Sequence, residues 1–398
     1  MSKKPPAMPW ALLAAAALGM FAASSSGTSR APFLLDMSRD LATRLPVVAN
    51  LVAATSIAWG IASLLAGAGS DRWGRRPFLI GGPLSVALCM VAVSQSHSFL
   101  VLAFWATLGG GSAGAFTGVI MAEASARVEN RQRGRALGWV MAGQSLTLLV
   151  GVPLAAWVGV YIGWRGVNLC VAALATLAAL GLFATTRGPA APPRAAGTRA
   201  PSYRAALSGP VLRLLLMGTA ERVCYGLTAV YFATFLQVTY ALTLGQVALP
   251  LALFAAGNIL GTLVGGQLAD RLPNRLLVFA GAMLGSALMA LPLFGWRVGL
   301  AATVALGFGY VFVTAMARPS LMAALANVPE EVRGTVLGLN VTSASFGWLG
   351  AASLGGWMMA EQGFGGFGPL AAVVALLAAL LALLPARFTR RGRAPAAE

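Results

Sequence analysis

Apolar residues fall in long blocks separated by short polar and basic clusters. The first block runs from Met8 to Ala23 and extends to Gly27. Eleven more follow at 46–68, 77–95, 99–121, 136–160, 165–186, 210–236, 246–268, 276–295, 298–321, 335–360 and 367–386. Blocks of roughly 20 apolar residues match the length a helix needs to cross hydrocarbon. Lipid cannot satisfy an open strand edge, so the blocks are expected to be helical. The alternation of a transmembrane barrel is absent. The pattern predicts an all-α membrane protein with twelve transmembrane helices. The first block follows Lys3 and Lys4 and ends near Ser24, the outline of a signal peptide. Its extension to Gly27 makes it long enough to span, and it is read as the first helix.

Composition sharpens this. Of 398 residues, 58% are hydrophobic and 10% charged. A soluble domain carries about 25% charged residues, so an ordinary soluble protein, a disordered chain and a coiled coil are excluded. The net charge of +17 would suggest nucleic acid in a soluble chain. Here it reads as loop charge that fixes orientation, and no nucleic-acid partner is expected. Of the 28 Lys and Arg, 21 lie on the side of the N-terminus. Five lie on the other side (Arg30, Arg39, Arg44, Arg165 and Arg297), and Arg222 and Arg318 fall inside predicted spans. Both termini are therefore expected in the cytoplasm, with anionic lipid favouring the same arrangement.

The connection from Arg187 to Ser208 contains RGPAAPPRAAGTRAPS, an irregular, proline-rich stretch. It suggests an N-terminal six-helix bundle at 1–187, a cytoplasmic linker at 188–208 and a C-terminal bundle with a cytoplasmic tail at 209–398. The halves repeat. Gly67, Asp71, Arg72 and Arg76 lie in GAGSDRWGRR, and Gly266, Asp270, Arg271 and Arg275 lie in GQLADRLPNR at an offset of 199. RGRALG from Arg133 and RGTVLG from Arg333 echo at 200. An internal duplication of a six-span unit follows, an arrangement common in secondary transporters.

The loop Gly67-Ala68-Gly69-Ser70-Asp71-Arg72-Trp73-Gly74-Arg75-Arg76, its weaker copy, the twelve spans and the long central loop resemble the major facilitator superfamily. The likeness covers nearly the whole chain and looks closest to bacterial drug and sugar-efflux proton antiporters. It departs from them in two places. Span 4 lacks an arginine in FWATLGGGSAG, and span 5 keeps only Gly151-Val152-Pro153 of a Gly-Pro signature. The resemblance implies two pseudo-symmetric bundles and a loop cluster that latches one access state, with Gly67, Asp71, Arg72, Gly74, Arg75, Arg76, Asp270, Arg271 and Arg275 as gating residues. Read from the residues, Gly67 and Gly69 permit close helix packing. Asp71 can accept hydrogen bonds from a neighbouring helix start, and Arg72, Arg75 and Arg76 can pair with acids across the interface between halves.

Ionisable residues inside a span are costly and need a reason. Glu221 and Arg222 sit in span 7, Glu221 roughly 16 Å along the helix from Pro210. Tyr225, Thr228 and Phe232 follow on its face. Glu221 is expected to take up and release a proton, and Arg222 to tune it or hold substrate; the alternative is a structural ion pair. Arg318 is expected to snorkel at the inner surface, and to face the pathway if span 10 continues to about Asn327. Gln144, Asn258, Tyr310 and Asn340, with Asn50 and Trp59, are candidates for hydrogen bonding or stacking with substrate, or for interhelical packing. Gly109-Gly110-Gly111 reads as a close-packing segment rather than a phosphate loop, since no Lys-Ser/Thr follows. Cys89, Cys170 and Cys224 read as buried apolar residues and His97 as a surface residue; no metal or cofactor is expected.

The sequence thus predicts a multi-pass protein of a bacterial inner membrane that is not an enzyme. It is expected to work as a monomer, by alternating access, with proton-coupled efflux of a small organic solute or drug. The other readings are a proton-coupled uptake symporter of a small organic solute or acid, a channel and a membrane-embedded enzyme.

Overall fold

The structure is a computed structural model that describes residues 8–129, 132–186, 208–272, 274–296, 299–327 and 330–384. The linker expected at 188–208, but for Ser208, and the tail beyond Leu384 lie outside the described residues. Helices run in chain order as α1 Trp10–Thr28, α2 Leu34–Asp40, α3 Leu45–Ala49, α4 Leu51–Trp73, α5 Arg76–Ser94, α6 Phe99–Ala126, α7 Arg133–Leu146 and α8 Val152–Thr185. The second half holds α9 Gly209–Tyr240, α10 Ala248–Arg271, α11 Arg275–Gly295, α12 Leu300–Ala326, α13 Glu330–Gln362 and α14 Phe367–Leu383.

Ten helical stretches of the described residues are long and apolar enough to cross a membrane. Two are too long for one crossing: Arg133–Thr185 has 53 residues and Leu339–Leu383 has 45. At about 1.5 Å per residue each exceeds twice a bilayer's ~30 Å hydrocarbon. Each contains a turn. Gly163 sits at φ +64° within α8, and Gly363 at φ +62° opens the 3-10 turn Gly363–Gly366 between α13 and α14. A side chain there would be strained. Divided at these turns, the described stretches make twelve segments, in agreement with the expected all-α fold. The connection from Thr28 to Leu51 is more structured than expected: it holds a 3-10 turn at Ala31–Phe33 and the short helices α2 and α3.

Side-chain contacts fix which ends share a face. Arg165 Nη1 donates to Asp40 at 2.6 Å and Nη2 to the carbonyl of Ser96 at 3.3 Å, while Trp164 Nε1 donates to Asp40 at 2.9 Å. The turns after the first, third and fifth segments therefore meet on one face. On the other, called here the terminal face, Arg213 donates to the carbonyl of Ala382 at 2.8 Å, joining the start of α9 to the end of α14.

The halves repeat in three dimensions as well. Arg75 Nη1 lies 3.5 Å from the carbonyl of Ala122, and Arg275 Nη1 lies 3.3 Å from that of Ala323. Ser85 and Ser112 share a hydrogen bond at 2.7 Å between α5 and α6; Ser286 and Thr314 share one at 2.8 Å between α11 and α12. Hydroxyl pairs of this kind hold helices together where lipid offers no hydrophobic contrast.

The outward surface is oily, Leu100 being 78% exposed, as expected of helices facing lipid. Several contacts join the halves towards the face opposite the terminal one. Gln237 Nε2 of α9 donates to the carbonyl of Pro32 at 2.9 Å. A Cβ on Gly356 would lie 3.4 Å from the Pro46 carbonyl, and one on Gly245 would lie 3.2 Å from Val160. Nearer mid-depth, a Cβ on Gly60 of α4 would lie 2.7 Å from Ser345 Oγ of α13.

His97 is exposed, and Cys89 and Cys224 are buried. Cys170 corrects the expectation of three buried thiols, since it faces outward from α8. In an oily surface this costs a small apolar side chain nothing.

Candidate functional site

Glu221 lies 12 residues into α9, far from either end, and is 1% exposed. Its Oε1 accepts from Arg318 Nη2 at 2.9 Å and its Oε2 lies 3.3 Å from Arg222 Nη1. Arg318 comes from α12, so this triad joins two helices.

This overturns the reading of Arg318 as a surface residue. The helix α12 continues to Ala326, eight residues past Arg318. That leaves the guanidinium roughly 12 Å below the helix end, too deep to reach the surface and within reach of Glu221. Its carbon Cζ also sits 5.2 Å from the centre of the Tyr225 ring, a cation–π distance.

Tyr225, 4% exposed, stacks on Phe254 of α10 at 6.2 Å and meets the edge of Trp348 of α13 at 5.8 Å. Arg222 leans on Gly347 of α13, where an added Cβ would collide with its own Cβ. One turn away, Thr219 and Ser343 share a hydrogen bond at 2.9 Å. The triad thus sits where α9, α10, α12 and α13 converge. The contact of α13 with α4 through Ser345 and Gly60 places it beside the seam between halves.

The other expected members divide. Asn340 reaches α12, its Nδ2 lying 3.3 Å from Met322 Sδ, and its Oδ1 would lie 3.6 Å from a Cβ on Gly218, one turn from Arg222. Asn258 is one turn beyond Phe254 on α10, 7% exposed, and its Oδ1 has no hydrogen-bond partner among the described residues. Three residues are packed rather than available. Thr228 is fully buried and donates to the carbonyl of Tyr225 at 2.9 Å. Phe232, 1% exposed, stacks on Phe254 at 5.3 Å. Tyr310 is fully buried and donates to the carbonyl of Cys224 at 2.9 Å. A shared helical face did not make a shared pathway: past Tyr225 the face turns into the packed interior. Gln144 is exposed on α7 of the first half and makes no hydrogen bond to the triad.

At the terminal face, Gly74 closes α4 at φ +82°, a conformation that favours glycine. Arg75 corrects the expectation of pairing between halves. Its partner is Glu123 of α6 in its own half, at 3.2 Å, and Arg127 Nε holds the other oxygen of Glu123 at 2.7 Å. The reason is distance along the bundle: α4 and α6 end side by side. Arg72 stands 5.9 Å from the Trp73 ring and Arg76 lies 5.3 Å from Phe183. A Cβ added to Gly67 would meet nothing within 4 Å, so Gly67 is not the close-packing site expected; Gly69, whose Cβ would lie 2.9 Å from Phe78, is. Asp270 and Arg271 are exposed. The side chain of Asp71 lies outside the described residues. In the glycine run, Gly110 would place a Cβ 2.7 Å from the Thr55 carbonyl, as a close-packing segment should. Gly151 ends a π-helical turn, Thr147–Gly151, whose Thr147 donates to the carbonyl of Phe21 at 3.1 Å.

Sequence reasoning missed Glu123, Gly347, Trp348 and the Thr219–Ser343 pair. Glu123 carried a signal, an acid four residues before Arg127 at a helix end; the others carried none.

The chain is similar in sequence and in fold to known proteins. Over 361 residues the chain is 27% identical to the inner membrane transport protein YdhP of Escherichia coli strain K12, spanning 88% of this chain and 90% of that one. Over 282 residues it is 28% identical to a chloramphenicol resistance protein of Streptomyces lividans, covering 70% of each. In three dimensions it is similar to a D-xylose-proton symporter, with a TM-score of 0.77, 13% identity, and 95% and 98% of the two chains covered. A bacterial homologue of the lysosomal transporter Spinster, in an inward-facing and unoccupied conformation, superposes with a TM-score of 0.71, 15% identity, and 96% and 94% covered. The sequence profile of the Major Facilitator Superfamily matches residues 15–349 and, again, 214–398. With long apolar helices in two halves that repeat their contacts, the chain belongs to that superfamily of membrane transporters.

Proposed function

We propose that this multi-pass membrane protein is a secondary active exporter of a small organic solute, driven by protons and working by alternating access. One observation carries the reading: a carboxylate 1% exposed, held by arginines from its own helix and from a second one, at mid-depth and beside the seam between halves. Buried charge of this kind is expensive in a membrane and marks solute or proton pathways. The likeness to a chloramphenicol resistance protein supports the outward direction. In this reading residues 1–187 and 209–398 rock as units about the centre in a bacterial inner membrane, with both termini cytoplasmic and a monomer as the working unit. Glu221 exchanges protons and Arg222 and Arg318 hold substrate. The terminal-face cluster around Arg75 and Glu123 steadies one access state.

The test is transport of chloramphenicol, with the anion 2-naphthoate in parallel, by the purified protein in proteoliposomes under an imposed proton gradient, with protein-free liposomes subtracted. Gradient-dependent movement that collapses when the gradient is dissipated, and that Glu221→Gln removes, supports the proposal. Movement indifferent to the gradient would overturn the proton coupling, and accumulation in the opposite direction would overturn export.

A second reading, uptake of an organic acid together with a proton, is favoured by the charge count. Two guanidiniums share one carboxylate, so a proton on Glu221 frees both for a substrate anion. The same proteoliposomes separate the two by the direction of flux.

A further inference from the structure

The class of solute follows from how the triad's charges are layered. Glu221 is 1% exposed, while the side chains of Arg222 and Arg318 are each 21% exposed. The carboxylate is at the bottom and the two cations form the accessible rim. Two positive charges against one negative leave a surplus of one, in a region where water screens little. Each guanidinium carries five N–H donors, and Glu221 occupies one nitrogen of each. Arg318 Nε is buried without a partner among the described residues. Beside the cations the rings of Tyr225 and Trp348 meet edge to face, 5.8 Å between centres.

We propose that the centre selects an organic anion, a carboxylate or its equivalent on an apolar body. Arg222 and Arg318 hold the anionic group, and the half-buried Trp348 flanks the body. The proposal rests on the triad being the substrate site and is independent of the direction of transport.

The test is thermal denaturation of the purified full chain in detergent with matched probes: benzoate against benzamide and benzylamine, and 2-naphthoate against 2-naphthamide. The carboxylates are expected to raise Tm with concentration, and the amides and the amine to leave it unchanged. Glu221→Gln removes the internal competitor, so benzoate is expected to bind it on the order of 10-fold tighter. Arg222→Gln and Arg318→Gln are expected to lose the response. Arg318→Lys, which keeps the charge, retains the preference for carboxylate and guards against a variant that merely fails to fold. Failure of the carboxylates to stabilise, an equal effect of the amides, or weaker benzoate binding by Glu221→Gln would each overturn the anion proposal. The outcomes also separate the two layers. A response lost in both Arg→Gln variants but larger for benzylamine keeps the site and sinks the anion. A carboxylate response indifferent to both Arg→Gln variants sinks the site itself.

Discussion

Arg318 of α12 donates to Glu221 of α9 at 2.9 Å across 97 residues of sequence, and its Cζ lies 5.2 Å from the centre of the Tyr225 ring one turn away. This contact ties two helices of the second half through a charge pair whose carboxylate water barely reaches. Removing one partner of a buried pair costs about 3–5 kcal/mol when the other is left without a counter-charge; Glu221→Gln strands both guanidiniums and falls in that range, while Arg318→Gln leaves Glu221 with Arg222 and costs less. Glu221→Gln and Arg318→Gln should each lower Tm by several degrees. The double variant should recover part of the loss, with a coupling of about 1–3 kcal/mol in a thermal or denaturant double-mutant cycle. Additive losses would show that the two side chains do not interact.

Gly347 should tolerate nothing larger than hydrogen. A Cβ there collides with that of Arg222, so Gly347→Ala must push α13 from α9 or displace Arg222. A loss of roughly 1–3 kcal/mol is expected, with transport falling in parallel. Gly281 on α11 is the control. Nothing lies within 4 Å of its Cβ position, so Gly281→Ala should raise stability by about 0.5–1 kcal/mol through helix propensity. Paired melting curves check both.

Glu123 satisfies Arg75 at 3.2 Å and Arg127 at 2.7 Å. Glu123→Gln should therefore loosen the terminal-face end of α4 and α6 more than either arginine variant does. We expect a loss of about 1–2 kcal/mol, since the arginines are partly exposed and solvent screens them. Hydrogen exchange should show faster opening at residues 70–78 and 120–127, while the amides around Glu221 keep their rates.

How far the sequence could be read depended on the range of the interaction. Span positions were legible because lipid demands some 20 apolar residues wherever a helix crosses, and Glu221 and Arg222 stood out as exceptions to that rule. The turn at Gly163 was legible as the gap between two apolar blocks. The partner of Arg318 was not, since the pairing depends on how α12 packs against α9 and on the helix running on to Ala326. Thr228 and Phe232 misled for a related reason. Helical periodicity places them on the face of Glu221, but it does not say where along that face the neighbouring helices close in. Arg75 found its acid in its own half because α4 and α6 lie side by side, a neighbourhood that charge patterning alone does not reveal.

Gln237 makes the hydrogen bond that joins α9 to the turn after α1, at 2.9 Å from the Pro32 carbonyl. Gln237→Ala should shift the population towards separation at that face. In a Cys170→Ser background, a cysteine introduced as Val48→Cys on buried α3 should be labelled several-fold faster by a maleimide when Gln237→Ala is also present. Unchanged labelling would show that the bond does not restrain the seam.

Beside that bond the halves also meet through apolar contacts: Val160 against Gly245 and Leu244 against Gly159. A door shut by oil and a single amide behaves unlike one shut by ion pairs. Its opening work is the wetting of hydrocarbon, so it should respond to heat and to detergent chain length while ignoring ionic strength. In the proposed rocking motion, opening at this face is then governed by the surrounding bilayer as much as by the solute.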